Sequence, residues 1–440
     1  MKRFSRRDFM KTSLAAGAGL AASGMMGGLT PRSHAATTLD FKGWDYSPDL
    51  VRENINVFEK QYPGIKVKYE AVGGNYMDKM AALFVGKSPL DCLYVRDTNF
   101  SGWVEAGWLR DIEGLPGVEE YKKTIYPGNL DAMTYDGKLY GLPYYTDFKV
   151  MIYRKDIIEK AGFSKPPRTL DELHEQCMKI KEKGLMEYPL SFGFKFAAGG
   201  NFEWWAMNYA SGLDYFDKDK NPIMQEDPRA EKILQWFVDA IHKYKTLGSV
   251  ALEMEHDKVR DAVSAGAACF GVITKYDVQR CNDPKFSKFP GLIKLAELPS
   301  LDGKTGGTAN WTRMYGLTSH VKGDRVDDAW KLIQYLGGRD KNGKLYTAKG
   351  WYLLKGLGFA YPELWDDPDI AEVTSAWGDL DAIKAIGKTS RPIEVVKEPW
   401  YYDWQPHLYP TLQKALTQQV SAKKCLQEIA ALAKKYKKEW

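Results

Sequence analysis

Five cysteines occur in 440 residues, and no two form a C-x-x-C pair. Cys92, Cys177, Cys269, Cys281 and Cys425 are odd in number and far apart, which excludes a disulfide framework and reads most of them as small buried apolar residues. Histidine is nearly as scarce, with six. His174-Glu175 has no second histidine four positions on, so H-E-x-x-H is missing. No G-x-S-x-G elbow and no dinucleotide-binding glycine fingerprint is present. Gly303-Lys304-Thr305 ends like a phosphate loop, but position 298 is Leu298 and the pattern is broken. The sequence therefore assigns no catalytic residue, no metal ligand and no cofactor. Net charge is lacking too. Without the first 35 residues, 56 basic residues face 56 acidic ones, interleaved along the chain. That excludes the sustained basic field of a nucleic-acid binder or a membrane-surface protein. The longest apolar stretch, Thr12 to Leu29, is too broken by glycine to span a membrane. There is no internal repeat, low-complexity tract or flexible linker.

What is present starts at the N-terminus. Ser5-Arg6-Arg7-Asp8-Phe9-Met10-Lys11 has the form of a twin-arginine leader, followed by the apolar stretch and by Ser33-His34-Ala35, a small-x-small cleavage site. This predicts a signal peptide over residues 1–35, cleaved near Ala35, and a soluble mature chain in a bacterial periplasm. No cysteine near the cut could carry a lipid. Twin-arginine substrates fold before export, in a reducing compartment, which argues against a required Cys269–Cys281 bridge.

About 405 mature residues exceed what one core usually supports, so two domains are expected. A first strand runs to Trp44. Pro48 opens a helix with Val51, Ile55, Phe58 and Tyr62 on one face, stopped by Pro63-Gly64. Ile65, Val67, Tyr69 and Ala71 alternate as a second strand, giving β-α-β and a parallel pair. Leu90 to Val95 reads as a buried third strand. Thr169-Leu170-Asp171-Glu172 is a capping box, and Asp227-Pro228 opens a further helix. Asp366, Asp367 and Asp369 read as a loop around Pro368. Alternating strands and helices imply an α/β protein.

Several segments in order resemble one family. Asp136-Gly137-Lys138-Leu139-Tyr140-Gly141-Leu142-Pro143-Tyr144, Ile152-Tyr153-Arg154-Lys155-Asp156, Lys160-Ala161-Gly162-Phe163 and Pro166-Pro167-Arg168-Thr169-Leu170-Asp171-Glu172-Leu173 carry the likeness. Ser264-Ala265-Gly266-Ala267-Ala268-Cys269-Phe270, Leu298-Pro299, Tyr315-Gly316-Leu317 and the helix from Asp324 continue it. Together they look like an extracytoplasmic solute-binding protein of an ABC importer, of the maltose-binding-protein-like, carbohydrate-type group; Arg154 departs from the usual asparagine. The resemblance implies a periplasmic-binding-protein-like fold, two α/β lobes joined by hinge crossings with a ligand cleft between them. The crossings are expected near Tyr145–Lys149, Arg313–Gly316 and Asn342–Tyr346. One lobe would hold residues 36–145 and 315–345, the other 146–314 and 346–440. It also implies a monomer that takes a small carbohydrate ligand to ABC permease transmembrane subunits.

A sugar offers an apolar C–H face to aromatic planes and a rim of hydroxyls to carboxylates, amides and arginines. Trp103, Trp236 and Trp330 lie in helical patterns and read as core. Trp44 and Tyr46 follow the first strand, at the carboxyl end where α/β folds bind ligands, although edge packing would also suit Trp44. Asn75 sits after Gly73-Gly74, in a ligand-approaching loop or a plain turn. Asp97 and Thr98 follow the third strand, and the resemblance places Asp97 toward the cleft. Tyr145 and Asp147 lie at the first crossing. Asp147 matches a ligand-binding position, or forms a hinge salt bridge with Lys149 or Arg313. Of Trp204 and Trp205, adjacent on a helix, one could face the ligand. Asn310, Trp311 and Arg313 precede the second crossing. Arg313 would grip an acidic substituent, or brace a neutral-sugar site through Asp97 or Asp147. Trp351 could add a stacking wall. The ligand class is a sugar, oligosaccharide or polyol, with or without an acidic substituent. The same aromatic and carboxylate composition would also suit a periplasmic hydrolase or lyase.

Overall fold

The computed structural model describes residues 37–195, 202–304 and 307–440. The leader, residues 1–35, lies outside the described residues. The β-α-β start is as expected. The strand Thr37–Trp44 pairs in parallel with Ile65–Val72, Thr37 opposite Ile65 and Trp44 opposite Val72, and with Cys92–Arg96 on its other side. The intervening helix Pro48–Gln61 buries Leu50, Val51, Ile55 and Phe58, with proline at its start. All five residues of Cys92–Arg96 are buried, since this strand is covered on both faces.

Two long strands carry the chain between lobes. Gly141–Arg154 pairs antiparallel with Thr308–Thr318 as far as Phe148, then with Phe270–Thr274 from Lys149 onward. Its change of partner falls in the expected first crossing. In Thr308–Thr318, Trp311 packs in the second core while Met314 and Tyr315 pack in the first. The second passage therefore centres on Thr312 and Arg313, next to a register shift between Arg313 and Met314. A continuous sheet results, ordered 65–72, 37–44, 92–96, 308–318, 141–154, 270–274, 190–191.

The third passage comes later than Asn342–Tyr346. That segment turns on the first lobe, where Asp340 Oδ1 accepts the Asn342 and Lys344 amides at 2.9 and 3.0 Å and Gln61 Nε2 donates to Asp340 Oδ2 at 3.2 Å. The chain stays there through Tyr361 Oη, which donates to the Gly337 carbonyl at 2.7 Å, and Trp365 Nε1, which donates to Tyr126 Oη at 3.0 Å. It already touches the second lobe where Lys275 Nζ donates to the Gly356 carbonyl at 2.7 Å and Asn282 Nδ2 to the Trp377 carbonyl at 3.5 Å, and Ser390–Arg391 then runs parallel to Thr308 and Ala309. A sequence pattern misses this because the return is made by helices packed along the seam and not by a strand. The acidic cluster is also not a loop. Asp367 caps the helix Pro368–Ser375, and Lys349 Nζ lies 2.7 Å from both Asp367 and Asp369.

The other signals act locally. Thr169 Oγ1 accepts the Glu172 amide at 2.9 Å, and Glu172 reaches back to the Arg168 amide at 2.6 Å. Asp227 caps Pro228–His242 through the Arg229 amide. All five cysteines are buried free thiols, so Cys269 and Cys281 are not bridged.

Candidate functional site

The carboxyl ends of the parallel strands meet where the two long strands cross. Trp44 and Tyr46 leave the first strand, and Arg96-Asp97 ends the third. On the other lobe Lys275-Tyr276-Asp277 follows Phe270–Thr274. Trp44, Tyr46, Tyr145 and Tyr276 are all half-buried. Their rings belong to one connected set, with centroids 6.1 Å apart for Tyr46 and Trp351, 5.3 Å for Trp351 and Tyr144, 5.0 Å for Tyr144 and Tyr145, and 6.4 Å for Tyr145 and Tyr276. Trp44 joins through Tyr94, at 6.4 Å, and Tyr94 through Tyr144, at 5.9 Å. The set thus runs from the first lobe through the crossing to the second.

Buried charges stand around these rings. Asp147, 1% exposed, lies 3.4 Å from Lys275 Nζ, and its Oδ2 accepts the Gly358 amide at 3.1 Å. Burial dominates both partners. It pushes the Asp147 carboxyl up to about 6 against the pull of Lys275, and holds the Lys275 ammonium below its usual value. Lys149 Nζ donates to Glu203 Oε1 at 2.6 Å, both groups fully enclosed. Arg313 pairs with Asp97, whose Oδ2 also accepts the Thr312 amide at 3.1 Å. Burial opposes the Arg313 charge, but Asp97 outweighs it and the guanidinium is held above its ordinary value. Arg260 Nη1 meets Asp277 Oδ1 at 2.9 Å, while buried Asp277 Oδ2 has no hydrogen-bond partner among the described residues. Of the alternatives for Asp147, the bridge is to Lys275 and to neither Lys149 nor Arg313.

Gly358 is fixed by close approach at this hinge. A Cβ there would lie 2.1 Å from the Thr146 carbonyl oxygen. Gly358→Ala should cost about 1–3 kcal/mol of unfolding free energy, read by urea titration. An unchanged midpoint would mean that the seam is slack.

The remaining sequence candidates scatter. Thr98 is buried beside Asp97 at the start of the helix Asp97–Glu105. Asn75 is exposed, just before the helix Tyr76–Val85. Asn310 Nδ2 donates to Ser390 Oγ at 2.9 Å, on the second lobe. Trp311 is buried against Phe202, centroids 4.7 Å apart, with Lys149 Nζ 5.4 Å from its ring centre. Trp204 and Trp205 both point into the second core. Trp204 meets Phe237 and Tyr215, and Trp205 meets Tyr215, Phe216 and Trp404. The helix Glu203–Ala210 is buried on every face, so neither indole of the adjacent pair is left to face the cleft. Trp351 is also enclosed, in the helix Tyr346–Lys355, and supports Tyr46 from behind.

Sequence reasoning passed over Arg96, Glu203, Lys275, Tyr276 and Asp277. The rule that selected Trp44 and Asp97, attention to carboxyl ends of strands, would have reached Lys275-Tyr276-Asp277 had Phe270–Thr274 been followed to its end.

Comparison with known proteins agrees with this architecture. The maltose-bound MalE3 of T. maritima superposes with a TM-score of 0.76 at 21% identity, covering 91% of this chain and 99% of that one. A mannitol-bound ABC transporter solute-binding protein of Agrobacterium vitis gives a TM-score of 0.73 at 21% identity, covering 92% and 99%. Among curated sequences, a putative binding protein of Brucella abortus is 24% identical over 300 residues, 67% of this chain and 70% of its own. The mannitol-binding protein of Pseudomonas aeruginosa is 24% identical over 197 residues, 44% of this chain and 45% of its own. The model of the family described as bacterial extracellular solute-binding protein matches residues 44–343. With two lobes, crossing strands and a ring-lined seam between them, the chain belongs to the bacterial extracellular solute-binding proteins.

Proposed function

We propose that this chain is the periplasmic substrate-binding component of an ABC importer. It is exported by its twin-arginine leader, cut near Ala35, and works as a monomer. It holds a sugar, oligosaccharide or polyol between the lobes and presents it to the permease transmembrane subunits. The observation that carries the reading is the connected ring set, with the half-buried faces of Trp44, Tyr46, Tyr145 and Tyr276 spread over both lobes. Such faces suit the C–H side of a sugar, and the free oxygen of Asp277 suits a hydroxyl. The names of relatives that bind mannitol and arabinooligosaccharide support the same class. A ligand touching both lobes favours the closed state by its differential affinity, and the permease reads that closed face.

The test is a thermal-shift and calorimetric screen of the mature protein with monosaccharides, oligosaccharides and polyols. A ligand at a hundred times its Kd should add about 2.7 kcal/mol of stability and raise the melting temperature. Binding should be stoichiometric, without turnover. Absence of heat and of melting shift across the whole panel would sink the carbohydrate assignment.

A further inference from the structure

The crossing strands have two faces, and the ring set lies on one of them. Thr312 is opposite Thr146 in register, and Arg313 is opposite Tyr145. Side chains alternate along a strand, so Tyr145, Asp147 and Arg313 point to one side and Thr146 and Thr312 to the other. The first side is the front of the hinge. There Tyr145 meets Tyr276, and Asp97 meets Arg313. The helix Tyr401–Trp404 of the second lobe packs on the helix Asp97–Glu105 of the first, so the front is shut.

The second side is the back. Asn129 Nδ2 donates to Thr146 Oγ1 and to Thr312 Oγ1, both at 2.8 Å, and so fixes the helix Pro127–Ala132 against the strands. This helix belongs to the first lobe, since Leu130 and the adjoining Met133 pack in the first core. Opposite it runs the segment 392–397 of the second lobe, with Ile393 and Val396 in the second core. A cavity of about 400 Å³ lies between, walled by Asp131 and Ala132 from one lobe and by Phe216, Ile393, Val396 and Lys397 from the other. Lys397 Nζ crosses its rim to Asp131 Oδ1 at 2.7 Å. Glu394 and Asp214, in the same wall, are already engaged. Glu394 accepts Tyr209 Oη at 2.6 Å and the Tyr215 amide at 3.0 Å, and Asp214 pairs with Arg391. What the cavity offers is room beside apolar surface.

Rigid lobes that turn about the crossing strands move oppositely on the two sides. When the front opens, the back narrows. When the front shuts on a ligand, the back widens. We propose that this back cavity sets the balance between the open and the ligand-holding state, so that bulk placed in it tightens ligand binding from a distance; the ligand it names rests on the carbohydrate reading above, the mechanics do not. A large side chain fits against Phe216, Ile393 and Val396 only while the front is shut, and it obstructs the narrowing that opening requires. The apparent affinity rises with the population of the binding-competent state. The added bulk lies across the strands from the ring set and leaves the ligand contacts as they are.

The experiment compares the mature wild type with Ala132→Trp, by calorimetry against the sugar and polyol panel above, mannitol, glucose, arabinose and maltose included, and by small-angle X-ray scattering without ligand. The variant should bind its sugar about tenfold or more tightly than wild type, the weight of an indole buried against apolar side chains. It should also have a smaller ligand-free radius of gyration. Lys397→Met removes the bridge across the rim without adding a ring, and should change the affinity by less than about fivefold, the range of an exposed pair. If the melting curve shows that Ala132→Trp does not fold, Lys397→Trp at the exposed rim carries the same expectation. Equal or weaker sugar binding by a folded variant would overturn the role of the back cavity and leave the carbohydrate reading standing. A smaller ligand-free radius, with no member of the panel bound by either protein, would keep that role and overturn the carbohydrate reading.

Discussion

Asp97→Asn should cost about 3–5 kcal/mol of unfolding free energy, because removing one partner of a buried ion pair strands the other. The loss should be at the upper end, since both side chains of the Arg313–Asp97 pair are almost fully enclosed. Asparagine retains an oxygen for the Thr312 amide, so the change isolates charge. Asp97→Asn/Arg313→Met should recover most of the stability, because a buried pair replaced by apolar bulk is often neutral. Urea unfolding of the single and double variants reads both effects. A single variant within about 1 kcal/mol of wild type, the range of an exposed pair, would show that Asp97 is solvated and the strand ends open.

That pair also shows what the sequence carries and what it hides. The opening β-α-β unit is legible because local rules act there. Pro48 starts the helix, Pro63-Gly64 ends it, and Ile65 to Ala71 alternate. The long strand Gly141–Arg154 is opaque by the same rules, since nearly every residue in it is buried and no alternation marks the point where its partner changes. The five-residue strand before Asp97 is likewise buried throughout. Reading it as ending at Val95 leaves Arg96 outside the strand, although register makes it the partner of Arg313. The decisive contacts are distant in sequence. Arg313 meets Asp97 216 positions away, and Gly358 meets Asp147 across 211. No periodicity reports such pairs. Trp204 and Trp205 show the opposite failure. Their residue type suits a sugar, yet their helix is enclosed on all sides by Phe237, Tyr215, Phe216 and Trp404. Aromatic content names the residue types a sugar would need, while burial decides which rings are left accessible.

The hinge carboxylate should leave a mark on acid stability. Burial raises the Asp147 carboxyl from the ordinary 3.8 to about 6. Between those values the folded protein binds a proton that the unfolded chain has released. The resulting stability is therefore fully present below about pH 4 and lost as pH rises through about 6. A rise of that size is worth about 3 kcal/mol. Asp147→Asn keeps the shape and an acceptor for the Gly358 amide but cannot ionise. The stability of wild type relative to Asp147→Asn should therefore fall by about 3 kcal/mol between pH 4 and pH 7, measured by urea unfolding at each pH. Parallel profiles would mean that the carboxyl keeps its ordinary value. A difference rising with pH would mean that attraction to Lys275 outweighs burial and that the hinge is held by a charged pair at all working pH. The falling profile has a consequence for closure. As pH falls through about 6 the protonated Asp147 no longer offers Lys275 a counter-charge at the seam.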